Sequence, residues 1–324
     1  MDKIAVVVPV YGSPDSLEEL VDEIKSVMTD LGVSFECILV DDSCPKGSWT
    51  VIQTLSGRHP EVTGVRLSRN FGQHPAIYAG LAHTNADWVV VMDCDLQDHP
   101  REIAKLYETA LLGYDVVRAR RVSRRDTWYR RSVSWLFYRV LSFMTGVEHS
   151  AEVANFGIYR TSVIDAILSW NEDHRYFPAG IQWIGFQRED IEIEHRERKH
   201  GKTSYNFSKL VDLALSIVLS FSDKPLKIIA TFGVVVAMLS FVLSGVYLTI
   251  ALLGGFAVPG WASIVVSLWF LAGVILFSIG VTGLYVGQAM REAKGRPNYV
   301  VAKVIGAQNA DQSKTNRIKA RTVS

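Results

Sequence analysis

Cysteine is scarce: three in 324 residues, Cys37, Cys44 and Cys94. All stand in the first third, at or near expected strand ends. They have neither metal-ligand spacing nor the pattern of a disulfide framework, so a reducing compartment is the simpler reading. Net charge is nearly absent, +1 from 34 basic and 33 acidic residues, which removes the overall electrostatic footprint of a nucleic-acid binder. The start does not read as a secretory leader, because the apolar run Ile4–Val8 is too short and Pro9 closes it. Two nucleotide signatures are missing as well. No Gly-x-Gly-x-x-Gly follows the first apolar run, and there is no Gly-x-x-x-x-Gly-Lys-Ser/Thr, so dinucleotide and P-loop readings are weak. Charge is wholly absent from two long stretches, Ile228–Leu253 and Trp261–Met290.

Those uncharged stretches divide the chain. At about 1.5 Å per residue each outreaches a hydrocarbon core of roughly 30 Å. Residues 254–260, with Pro259, form a short connecting turn, and Gly273, Gly280, Gly283 and Gly287 allow close helix approach. A two-helix transmembrane hairpin follows, with spans at about 228–253 and 261–287. Lys224 and Lys227 precede it and Arg291, Lys294 and Arg296 follow it, while the turn has no charge. The positive-inside rule then expects both termini and the preceding domain in the cytosol, on an inner (cytoplasmic) membrane. Leu210–Phe221 reads as an apolar helix at the interface. The expected layout is a globular domain over 1–203, a juxtamembrane helix over 204–226, the hairpin over 227–291 and a basic cytosolic tail over 292–324.

The first 200 residues alternate in the manner of an α/β fold. Apolar strands are predicted at Ile4–Val8, Phe35–Val40, Val62–Leu67 and from Val89. Helices between them end near Leu31, Leu55 and His83. The first carries Leu17, Leu20, Val21, Ile24, Val27 and Met28 at helical spacing, with Asp15 or Ser16 as its cap. Such alternation argues for a doubly wound parallel sheet with right-handed crossovers. Open α/β sheets bind ligands past the carboxyl ends of their strands. Three such ends are polar: Tyr11, Asp41-Asp42 and Asp93-Cys94-Asp95. Asp93 and Asp95 suit one hard cation, Mg²⁺ or Mn²⁺, shared with substrate phosphates; a solvated acidic turn is the plainer alternative. Asp41 and Asp42 suit a base or ribose, or else cap the next helix.

Four segments bear a family resemblance: Pro9-Val10-Tyr11, Val40-Asp41-Asp42-Ser43, Arg69-Asn70-Phe71-Gly72-Gln73 and Met92-Asp93-Cys94-Asp95-Leu96-Gln97. In this order they resemble family-2 glycosyltransferases of the GT-A (Rossmann-like) fold. The subgroup is the polyprenyl-phosphate glycosyltransferases, which include dolichyl-phosphate mannose synthase and bactoprenol glucosyltransferase. The resemblance implies a nucleotide-diphosphate sugar held by Pro9, Tyr11, Asp41, Asp42, Arg69, Asp93 and Gln97, with the metal on Asp95 and Asp93. It implies transfer with inversion to a polyprenyl (undecaprenyl) phosphate.

Residues 118–139 interleave arginines with Trp128, Tyr129, Trp135, Phe137 and Tyr138. A helix with Arg on one side and aromatics on the other suits a membrane interface, and the guanidinium fork suits phosphate. By resemblance, Arg121, Arg124, Arg131 and Ser134 approach the donor diphosphate and acceptor phosphate. Arg196, Arg198 and Lys202 would clamp phosphates from a basic loop turning at Gly201. Asn155 departs from the family, where relatives often carry an acidic residue assigned as base. A phosphomonoester, with its second pKa near ~6, is already largely a dianion at neutral pH, so such an acceptor needs orientation more than a base. Asn155 is therefore expected to position acceptor or sugar. Pro178 stands where relatives often have arginine. Two rivals stay open: transfer to a hydroxyl, with Asp98 as one candidate base, and a non-catalytic accessory subunit. Homo-oligomerisation is left open, and nucleic acid is not an expected partner.

Overall fold

The computed structural model describes residues 2–121, 153–170, 176–193, 224–253 and 260–306, with 139, 142–144, 218 and 222. They fall in two compact units. One gathers Met1–Arg139, Val147–Asn206 and Arg296–Ser324; the other gathers Val140–Gly146 and Phe207–Gly295.

The first unit is a single sheet covered on both faces. Its strands are β1 (Lys3–Val10), β2 (Ser34–Asp41), β3 (Val62–Leu67), β4 (Trp88–Val91), β5 (Val116–Arg121), β6 (Val153–Arg160), β7 (Arg188–Ile193) and β8 (Val301–Ile305). Their order across the sheet is β7-β5-β6-β4-β1-β2-β3-β8. The helices are α1 (Leu17–Leu31), α2 (Ser48–Arg58), α3 (Gln73–Leu81), α4 (Glu102–Leu111), α5 (Thr161–Leu168) and α6 (Phe177–Ile184). Ile4, Val6, Val8 and Val10 of β1 join one buried cluster, with α1 and α4; Ala5 and Val7 join the other, with α3, α5 and α6. A strand covered on both faces must be apolar throughout, which is why Ile4–Val8 reads as an unbroken run.

The all-parallel expectation holds only for the block β4-β1-β2-β3. Antiparallel β6 lies against β4 and β5, β5 pairs in parallel with β7, and β8 runs antiparallel to β3. Residues 301–305, assigned above to the tail, form β8. Val301-Ala302-Lys303-Val304-Ile305 is too short and too exposed for a clear alternation. It docks because Gly64 of β3 leaves room: a Cβ there would lie 2.8 Å from Ile305 Cγ1 and 2.6 Å from Ile52 Cγ2.

The start of the basic run is likewise strand rather than helix. Arg118 is buried in β5, and its Nε and Nη2 each donate a 2.8 Å hydrogen bond to the Asp190 carboxylate of β7. Arg118 thus fastens one sheet edge.

In the second unit, α7 (Lys224–Leu252) and α8 (Trp261–Ala293) are both long and apolar enough to cross a membrane. The Lys224 ammonium donates to the Phe143 carbonyl at 2.5 Å and lies over its ring. The Tyr285 hydroxyl donates to the Ser222 carbonyl at 2.8 Å.

Candidate active site

The parallel block decides what meets at its carboxyl edge. Val7 pairs with Ile38 on one side and Val91 on the other. Residues just past β1, β2 and β4 therefore emerge together: Tyr11, Asp41 to Cys44, and Asp93 to Gln97. Past β4 the chain keeps a period of two. Met92, Cys94, Leu96 and Asp98 are buried, while Asp93, Asp95 and Gln97 are half-buried. The Asp95 carboxylate accepts the Gln97 N–H at 3.1 Å, closing the turn. Leu96 has φ 59°, and Ser43, just past β2, has φ 52°. Among the described residues these are the non-glycine positions at positive φ. Left-handed backbone costs a side-chain-bearing residue about 1–2 kcal/mol, so both carboxylate loops sit in shapes that local preference does not choose.

The loops are stitched to one another. The Ser16 hydroxyl donates to the Cys94 carbonyl at 2.6 Å. It thus ties the start of α1 to the Asp-x-Asp turn instead of capping that helix, for which it makes no side-chain bond. The Gly12 N–H donates to Cys44 Sγ at 3.2 Å. Burial, reinforced by Asp93 and Asp95 on either side, pushes the Cys94 thiol up to about 12.

Asp41 and Asp42 differ in kind. Oδ1 of Asp42 accepts the Phe71 N–H at 2.7 Å and Oδ2 the Gly72 N–H at 2.8 Å. This carboxylate holds the Arg69–Gln73 loop at the edge. Oδ1 of Asp41 accepts the Cys44 N–H at 3.1 Å, but its Oδ2 is buried with no hydrogen-bond donor, 3.4 Å from Arg66 Nε of β3. Burial raises the pKa of both carboxyls, against the pull of those N–H groups and of Arg66 and Arg69. A buried acceptor without a donor is uncommon in native proteins and points to a ligand that supplies one.

Asp93 is oriented by Gln73 at the start of α3, whose side-chain amide donates to its Oδ1 at 2.6 Å. The helix itself is pinned from its far end. A Cβ on Gly80 would lie 2.4 Å from Val7 Cγ1 and 3.0 Å from Val40 Cγ2, so only glycine permits this approach to β1 and β2. Among the described residues no three His, Cys, Asp or Glu side chains are grouped to hold a metal. Two carboxylates fit a hard cation whose remaining positions go to phosphate oxygens and water.

The other expected site residues divide three ways. Pro9 is buried in β1 and pairs with Val40, while Tyr11 is 53 % exposed at the edge. The exposed Arg69 lies over the Phe71 ring at 4.1 Å. Val91 pairs with Gly157, so Asn155, half-buried on β6, and Asp93 lie two residues beyond that pair on adjoining chains. Pro178 falls in the first turn of α6, where its missing N–H is harmless. Arg121 ends β5, pairing with Ile193, and only its backbone is described. Arg124, Arg131, Ser134, Arg196, Arg198 and Lys202 lie outside the described residues. Asp98 is buried at 2 % exposure, as is Asp41 at 0 %. Sequence reasoning missed Arg66 and the bond made by Gln73, and gave Ser16 a capping role in place of its bond to Cys94. For Arg66 a signal existed, a lone cation inside an apolar strand beside Asp41.

Residues 5–168 match glycosyl transferase family 2. Over 323 residues, 97 % of each chain, the sequence is 32 % identical to an undecaprenyl-phosphate 4-deoxy-4-formamido-L-arabinose transferase of Enterobacter sp. (strain 638). The same transferase of Aeromonas hydrophila is 34 % identical over 93 % of this chain and 94 % of its own. A crystal structure of M. tuberculosis glucosyl-3-phosphoglycerate synthase superposes with a TM-score of 0.50 at 16 % identity, covering 68 % of this chain and 79 % of that one.

Proposed function

The chain belongs to glycosyl transferase family 2 and is a glycosyltransferase, and we propose that it moves a sugar, with inversion, from a nucleoside-diphosphate donor to undecaprenyl phosphate on the cytosolic face of a membrane. The observation that carries the donor half is the buried Oδ2 of Asp41, which lacks a hydrogen-bond donor at the sheet edge where Asp93 and Asp95 also emerge. An N–H of the base or a ribose hydroxyl would satisfy it. The acceptor half rests on relatives matched end to end that bear this acceptor in their names, and on two helices suited to a bilayer.

Each residue then has a task. Asp41 reads the nucleoside. Asp42 shapes the loop that carries Arg69. Asp95, with Asp93 assisting, would hold Mg²⁺ or Mn²⁺, which neutralises charge on the departing diphosphate. Gln73 keeps Asp93 in place. Arg121 and Arg198 complete the neutralisation, and Arg124, Arg131, Ser134, Arg196 and Lys202 receive the acceptor phosphate. A phosphate oxygen attacks the anomeric carbon opposite the diphosphate; the new C–O bond forms as the old one breaks, and no proton need be removed. Asn155, at the Asp93 end of β6, hydrogen-bonds acceptor or sugar in place of a base.

The test is transfer from radiolabelled nucleotide sugars to undecaprenyl phosphate, by full-length protein in detergent, with and without Mg²⁺ or Mn²⁺. Metal-dependent label in the lipid fraction, abolished by Asp95→Ala in folded protein, is the expected result. No label with any donor, from protein that still binds nucleotide, would overturn it.

A further inference from the structure

The first apolar helix of the second unit, α7, borders a cavity that nothing above uses. Its volume is about 430 Å³, within the roughly 300–1,000 Å³ of small-ligand pockets. Every lining residue belongs to the second unit, whereas Asp41, Asp93 and Asp95 belong to the first. Among the described residues, the cavity therefore takes no group from the donor edge.

The lining has two chemically distinct ends. Lys224 and Lys227, in the first turn of α7, bring charge to one. Ile228, Phe232 and Val235 continue along the same face at helical spacing, with Thr231 among them. From Lys224 to Val235 the helix rises about 16 Å, close to half of a hydrocarbon core of roughly 30 Å. Phe143 lines the cavity from a separate segment, and it fixes the charged end. The Lys224 ammonium donates to the Phe143 carbonyl at 2.5 Å and lies 5.1 Å from its ring centroid. The Ser222 hydroxyl accepts the Lys224 N–H at 3.1 Å and donates to the Met144 carbonyl. One of the three donors of that ammonium thus holds the charge in place. No acidic side chain lines the cavity.

On the reading that α7 crosses the bilayer from its cytosolic surface, we infer that this cavity binds one anionic phospholipid of the inner leaflet. Its phosphodiester sits at Lys224 and Lys227, and the upper part of one acyl chain runs along Ile228, Phe232 and Val235. The two ends together select an amphiphile. A soluble phosphate would leave the apolar wall uncovered, and a zwitterionic lipid brings no net charge to the two ammonium groups. Basic pockets at the cytoplasmic ends of membrane spans hold phospholipid headgroups by the same chemistry. Undecaprenyl phosphate shares that chemistry. An acceptor phosphate, however, has to meet the donor, and no described residue of the donor edge lines the cavity.

The test is native mass spectrometry of the full-length protein in detergent, titrated with phosphatidylglycerol or with phosphatidylcholine of matched chains. It reads the affinity for the first lipid bound. The wild type should prefer the anionic lipid about 10-fold or more, and Lys224→Gln with Lys227→Gln should bring that preference to within about twofold. The charge-matched pair Lys294→Gln with Arg296→Gln, beyond α8, should leave the preference intact. Thr231→Phe fills the apolar end without touching a charge and should weaken both lipids severalfold. An absent preference in the wild type, unchanged binding in Thr231→Phe, or an equal loss in the Lys294 and Arg296 pair would overturn the inference. The last result would reduce the effect to diffuse attraction between basic flanks and anionic lipid. Displacement of phosphatidylglycerol by an equal concentration of undecaprenyl phosphate, read from the adduct masses, would overturn it too and make the cavity an acceptor site. If Lys224→Gln disturbs the fold around Phe143, Lys227→Gln and Thr231→Phe carry the test. The membrane reading fails on a separate observation, protein that stays soluble and monodisperse once detergent and lipid are removed.

Discussion

The side-chain amide of Gln73 donates a 2.6 Å hydrogen bond to Oδ1 of Asp93, 20 residues away and on a different element. A carboxylate that shares a cation with a substrate has to be aimed, and a neutral amide aims it without competing for the metal. Partners of this kind typically cost about 10–100-fold in metal affinity or activity when removed. Gln73→Leu should raise the metal concentration for half-maximal transfer by that order and leave the melting temperature nearly unchanged. Gln73→Glu should do worse, because it sets a second negative charge against Asp93. A metal titration of transfer by the two variants checks both; a metal requirement equal to wild type in Gln73→Leu would leave the bond without a role.

Asp41 should trade stability for binding. Burial raises its carboxyl above the ordinary 3.8. The native state therefore prefers the protonated form, and the stability this confers is present below pH 3.8 and lost as pH rises through the raised native value. At neutral pH the buried carboxylate is a net cost that a nucleotide bound there would offset. Asp41→Asn keeps an acceptor for the Cys44 N–H and removes the charge. It should melt a few degrees higher without ligand, with a flatter fall in stability above pH 4, and bind the nucleoside diphosphate about 10-fold or more weakly. Melting curves from pH 4 to 7, with and without nucleotide, check the pair of effects.

How far the sequence foretold this arrangement depends on the range of the forces involved. The strands β1 to β4 were legible because each is a local apolar pattern answering to burial on both faces, and α1 because its apolar residues recur along one buried face. The gathering of Tyr11, Asp41, Asp93 and Asp95 followed from that alternation, since parallel neighbours share a carboxyl edge. The reversed β6 and β8 were not legible, because strand direction is set by a partner far along the chain. The division of labour between Asp41 and Asp42 was closed to sequence for the same reason. It depends on Phe71 and Gly72 reaching back across 29 and 30 residues. Arg118 was read with the basic helix beyond it, although its partner Asp190 lies 72 residues on.

β8 should prove necessary for the donor loop and not only for the sheet edge. The Ser68 N–H, one residue before Arg69, donates to the Val300 carbonyl at 2.9 Å, and Phe71, Tyr299, Val301 and Val304 pack against one core cluster. Gly64→Val puts side-chain atoms where Ile305 and Ile52 already lie. Overpacking of this kind costs about 1–3 kcal/mol, and expelling β8 would relieve it. Hydrogen exchange should then speed up at residues 301–305 and at Ser68, with nucleotide affinity falling alongside. Unchanged protection in 301–305 would mean the strand holds by other contacts.

The membrane arrangement can be settled without activity. A hairpin of two spans returns the chain to the side it left, and the positive-inside rule assigns that side from the lysines and arginines near each span. Lys224 and Lys227 lie before the first, Arg291, Lys294 and Arg296 after the second, and residues 254–260 between them hold no charge. Moving that charge-free turn across the bilayer is cheap, whereas moving either flank would carry two or three cations into hydrocarbon at several kcal/mol each or less with snorkelling. The three native cysteines are free and buried, so they give little background to thiol labelling. A membrane-impermeant maleimide applied to intact cells should label Ala257→Cys, in the turn, and spare Ser324→Cys at the other end until the membrane is opened. The opposite pattern would put the donor site on the far side from cytosolic nucleotide sugars, and the proposed reaction could not draw on them.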